Sequence, residues 1–104
     1  MNADGSRRVV VHVSDDPGDL DRAVSTAQSL RDAFPDAEVR VIVNGPALDG
    51  LREGQAPPGV EACAIGLQRR GIDAASLRAV VEVIPSAATV LVEAQFEGAA
   101  YIRI

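Results

Sequence analysis

Short runs rich in β-branched residues alternate along this chain with segments of helical periodicity, and that alternation leaves few folds open. Arg8 to Val13 (R-V-V-V-H-V) reads as a strand buried on both faces, ended by the turn residues Ser14-Asp15-Asp16-Pro17-Gly18. Asp19 is placed to cap a helix in which Leu20, Ala23, Val24, Ala27, Leu30 and Phe34 follow 3.6-residue spacing, until Pro35 stops it. Val39 to Val43 is a second strand, closed by Asn44-Gly45-Pro46, and Pro46 can start a short helix through Leu51. Gly50 to Gly59 holds too many Gly and Pro residues for a regular element and is expected to be a mobile loop. A third strand ends at Cys63, a helix-like segment carries Arg69 and Arg70, and Asp73 to Leu77 has the look of a turn or helical cap.

Val80 to Ile84 gives a fourth strand, Pro85-Ser86 opens a helix through Phe96 that Gly98 closes, and Ala100 to Ile104 is the last strand. The expectation is an α/β fold, a three-layer α/β/α sandwich with a mostly parallel five-stranded sheet, in one domain over residues 1–104 with a frayed tail at 1–7. The helix after Pro85 is apolar around more than one face, with Leu91, Val92 and Phe96 among its residues. Either it is deeply buried or it meets another subunit, so a homo-oligomer, trimer or hexamer, is expected.

At 104 residues there is room for one core, and 47% hydrophobic with only 3% aromatic residues means that Val, Leu, Ile and Ala must build it. Ten basic against fifteen acidic residues leave a net charge of −5, which repels nucleic acid and anionic membrane surfaces. No apolar run approaches the ~18 residues of a membrane span, and the polar start of the chain lacks a signal-like apolar region. With a lone cysteine there is no internal disulfide, and a cytoplasmic location is expected.

Phosphate-binding G-x-x-x-x-G-K-[ST], dinucleotide-binding G-x-G-x-x-G and G-x-S-x-G patterns are absent from the sequence. One His and one Cys do not make a metal centre within a single chain, and no cofactor is expected. The sharpest candidate is Cys63, at the C-terminal end of a strand, where open α/β sheets bind ligands. Two readings stay open: a small buried hydrophobe, or a reactive thiolate. A helix N-terminus supplies only about 0.3–1 kcal/mol to a nearby anion, so a reactive thiolate also needs Arg69, Arg70 or a neighbouring subunit. His12 is either a buried, hydrogen-bonded imidazole or a base close to Cys63, and Asn44 either a turn former or a polar pocket wall. Arg69 and Arg70 are a solvated helix end or an anion-binding pair. Asp15 and Asp16 read as turn residues, and Glu93, Gln95 and Glu97 as a solvated face.

In this order the segments V-V-V-H-V-S (9–14), N-G-P (44–46), R-R-G-I-D (69–73), V-E-V-I-P-S (81–86) and G-A-A-Y-I-R (98–103), with the Cys63 stretch among them, resemble the DsrE/DsrF-like sulfur-relay family, whose fold is called YchN-like. In the sulfur-transferring members the active cysteine precedes R-R-G-[IV] with five residues between, the spacing of Cys63 to Arg69-Arg70-Gly71-Ile72 here. The resemblance implies that Cys63 accepts sulfane sulfur as a persulfide and passes it on between donor and acceptor proteins, flanked by His12, Asn44, Arg69 and Arg70. Many short relatives carry Asn and then Ser or Thr at the second and third positions after the cysteine, where this chain has Ile65 and Gly66. The alternative is a non-catalytic oligomeric binding or scaffold protein in which Cys63 is structural.

Overall fold

The computed structural model describes residues 7–54, 59–77 and 81–104. Five parallel strands, β1 (Arg7–Val13), β2 (Ala37–Val43), β3 (Val60–Cys63), β4 (Glu82–Ile84) and β5 (Ala100–Arg103), lie in the order β4-β3-β2-β1-β5. Three α-helices connect them: α1 (Leu20–Ala33), α2 (Ala64–Arg69) and α3 (Ala87–Phe96). From β1 to β4 the chain steps steadily toward one edge, and the right-handed crossover rule puts α1 and α2 on one face. Between β4 and β5 it travels back across the sheet, so α3 lies on the other.

Strand parity divides the core accordingly. Val11, Val13, Val41, Val43 and Ala62 pack under α1 and α2, through Ala23, Ala27 and Leu67. Val10, Ile42, Cys63 and Ile84 point the opposite way, against Ala87, Leu91 and Ala94 of α3. One ten-residue helix cannot cover five strands, and the rest of this second face is polar. Arg40 donates to both carboxylate oxygens of the buried Glu61, at 2.9 and 2.6 Å. That hydrogen bonding raises the Arg40 guanidinium further above its ordinary value, against the opposing effect of burial. Among the described residues every buried side-chain nitrogen and oxygen has a hydrogen-bond partner.

The expected three-layer α/β/α fold is the observed one, with local corrections. The loop expected from Gly50 is regular in its first part: a 3-10 segment spans Gly45–Gly54, because Leu48 and Leu51 are fully buried and tie it to the core. Residues 55–58 of that loop lie outside the described residues, as do 1–6 of the expected tail and 78–80, which include Val80 at the expected start of β4. Asp19 stands at the start of α1 without capping it. The capping carboxylate is Asp16, which accepts Gly18 N–H at 2.8 Å ahead of a 3-10 turn over Pro17–Asp19. Asp73 caps the short 3-10 turn Ala74–Ser76 by accepting Ala75 N–H.

Candidate functional site

Strands β3 and β4 are neighbours, with Cys63 opposite Ile84, yet the chain leaves them toward opposite faces of the sheet, into α2 and α3. Such a divergence opens a crevice beyond the carboxyl ends of the strands, the switch point at which open α/β sheets bind ligands. Here it is a cavity of about 380 Å³ lined by Cys63, Asn44, Arg69, Arg70, Ser86 and Ala87 with their neighbours.

Cys63 ends β3 with its side chain toward α3. Its Sγ accepts the Ala87 N–H at 3.3 Å, one of the donors that the first turn of a helix leaves without an intrahelical partner. Ser86, the residue before α3, has extended backbone and accepts Thr89 N–H on its hydroxyl at 3.3 Å, which fixes where the helix begins. Cys63 is only 6% exposed as a residue, and it lines the cavity at the start of α3.

Asn44 follows β2 and is held by its own N–H to Val13 carbonyl, 3.2 Å. Gly45 turns the chain away with φ of +58°, and a Cβ there would stand 2.9 Å from the Ser14 carbonyl oxygen, so the turn needs glycine. Gly66 sits under similar pressure, since a Cβ would lie 2.6 Å from Cδ1 of the buried Leu48. The close packing of the 3-10 segment on α2 accounts for glycine at this position.

Four of the five sequence candidates, Cys63, Asn44, Arg69 and Arg70, line one cavity. His12 does not touch it. Its Nε2 lies 2.9 Å from Asn44 Oδ1 and its Nδ1 2.7 Å from the Tyr101 hydroxyl, so it reaches the cavity only through Asn44. Arg70 is engaged elsewhere, donating to Asp49 at 3.0 and 2.6 Å. That bond raises the Arg70 guanidinium above its ordinary value and lowers the Asp49 carboxyl below its own. Arg69 is exposed and pairs with no carboxylate among the described residues, which makes it the uncompensated cation of the cavity. Ser86, the Ala87 N–H and Tyr101 were not among the sequence candidates. Pro85-Ser86 is a readable helix start, but its closeness to Cys63 depends on β4 lying beside β3.

Fold and site together define a parallel α/β protein with a single cysteine at the switch point of its sheet. A solved structure of a protein of unknown function, MTH1491 from Methanobacterium thermoautotrophicum, is similar to it: the TM-score is 0.71, with 27% sequence identity, over 94% of this chain and 99% of that chain. No family model matches the chain, and no curated protein matches it. Among the described residues no helix is long and apolar enough to cross a membrane.

Proposed function

We propose that this protein is a sulfur carrier of the DsrE/DsrF-like kind, working through a persulfide on Cys63. The observation that carries the reading is the Cys63 Sγ at the β3/β4 switch point, facing a cavity and receiving the Ala87 N–H. A negative sulfur there gains a charge-assisted hydrogen bond and the positive end of α3. In the loading step the Cys63 thiolate attacks the outer sulfur of a donor persulfide. The donor S–S bond breaks, the donor leaves as a thiolate, and Cys63 holds the new S–S bond. In discharge an acceptor thiolate attacks that outer sulfur and Cys63 leaves as thiolate, so no external oxidant or reductant is needed.

One observation favours a second reading, an oligomeric binding or scaffold protein. Cys63 packs with Ile84 and Leu91 as part of the core under α3. Incubating the reduced protein with a small persulfide donor and following its intact mass separates the two. A one-sulfur adduct on the parent that is absent from Cys63→Ser is the expected result. No adduct from several donors, with Cys63 inert to alkylation until the protein unfolds, would leave the cysteine as core.

A homo-oligomer, trimer or hexamer, belongs to the same proposal. It is supported by α3, whose outer side exposes Val92 and Phe96, the latter at 85%. Donor and acceptor proteins then meet the assembly at the β3/β4 edge, and the lone thiol and acidic surface suit a cytoplasmic setting.

A further inference from the structure

Both ring nitrogens of His12 are taken, and the chemistry of their partners decides where its proton sits. An amide oxygen only accepts, so toward Asn44 Oδ1 at 2.9 Å it is His12 Nε2 that carries the hydrogen. A neutral imidazole then has a bare Nδ1, which accepts the Tyr101 O–H at 2.7 Å. Register places these side chains together: Tyr101 of β5 lies opposite Val10 of β1, and Arg103 opposite His12. Arg103, beside them on β5, donates to Asp15 at 2.7 Å. Donors therefore run one way, from Tyr101 through His12 to Asn44, an arrangement in which each bond polarises the next. The row engages Asn44 Oδ1, and in a residue that lines the cavity this leaves the Nδ2 amino group for other partners.

We infer that Tyr101 and His12 are positioning residues that lock the Asn44 amide with its donor end toward the Cys63 cavity, which makes that cavity a site for a small anion. The remaining lining agrees. Among the described residues no Asp or Glu lines the cavity in a chain with a net charge of −5, Arg69 is a cation there without a carboxylate partner, and the Ala87 N–H adds a further donor at the sulfur. The inference deepens the sulfur-carrier reading and rests on it for the identity of the ligand, a species with a terminal anionic sulfur or oxygen. The donor lining itself stands without that reading.

The test is nitrogen NMR of the His12 ring in the folded parent at neutral pH, followed by titration with inorganic sulfate as the anion probe. Expected are a protonated Nε2 with a bare Nδ1, and a shift of the Asn44 side-chain amide resonances on adding sulfate. Tyr101→Phe, which keeps the ring, is expected to mix the two tautomers and weaken sulfate about two- to tenfold, the equivalent of one neutral hydrogen bond. Asn44→Asp is expected to abolish the sulfate response. A hydrogen on Nδ1 in the parent, unmoved Asn44 resonances, or a Tyr101→Phe variant with unchanged sulfate affinity would overturn the inference. Failure of sulfur loading with the tautomer and sulfate response intact would overturn the carrier reading alone.

Discussion

Arg70 and Asp49 join the middle of the 3-10 segment to the end of α2, and Arg52 adds a contact to the same carboxylate at 3.4 Å. Hydrogen bonding to Arg70, and then the charges of Arg70 and Arg52, hold the Asp49 carboxyl below its ordinary value against the opposing effect of burial. A carboxyl lowered on folding stabilises the fold above its unfolded value, near about 4, and loses that contribution as the pH falls through the folded value. Asp49→Asn should therefore lower the unfolding midpoint at pH 7, and the gap to the parent should close in melts taken below about pH 4. A gap that persisted in acid would mean that the pair does not stabilise the fold through its charge. The candidates grouped by local spacing, Cys63 with Arg69 and Arg70, were readable in the sequence. The partners of His12 were not, because Tyr101 stands 89 residues away and meets it only through the pairing of β5 with β1.

Helix α3 links the site to the second layer. Ser86 caps it, Ala87 gives its N–H to Cys63, and Gly98, with φ of +89°, ends it. Ser86→Ala removes the acceptor for Thr89 N–H and should cost about 1 kcal/mol in urea unfolding. Because the same turn holds the sulfur, the variant should also load sulfur more slowly than the parent; normal loading with the stability loss would separate the cap from the chemistry. All five strands and the three α-helices were legible from β-branched runs, helical spacing and Pro or Gly punctuation. The 3-10 segment beyond Gly50 was not, since its Gly and Pro content speaks for a loop and only the burial of Leu48 and Leu51 in the core holds it regular. The cap before α1 was misplaced for a similar reason: Asp16 and Asp19 are equally good capping residues, and the turn at Pro17 decides between them.

Across the whole molecule the order β4-β3-β2-β1-β5 creates the site, and local sequence patterns do not encode strand order. Reversal of the chain's direction after β4 sends α3 to the second face and opens the crevice at Cys63. It also leaves Val92 and Phe96 on the outside of α3, 47% and 85% exposed, on a helix whose opposite side fills the core. If copies of the chain meet there, Phe96→Glu should shift sedimentation from oligomer toward monomer with the circular dichroism spectrum kept, because a charge in an apolar interface is costly. An unchanged sedimentation profile would exclude Phe96 from the contact. A carrier must release what it accepts, so the most direct measurement loads the parent with sulfur, removes the donor, adds an acceptor thiol and follows the intact mass through one turnover. Carriage by Cys63 requires that the one-sulfur adduct return to the unmodified mass while the acceptor gains the sulfur. An adduct that forms and stays, or sulfur that leaves equally well from unfolded protein, would contradict it.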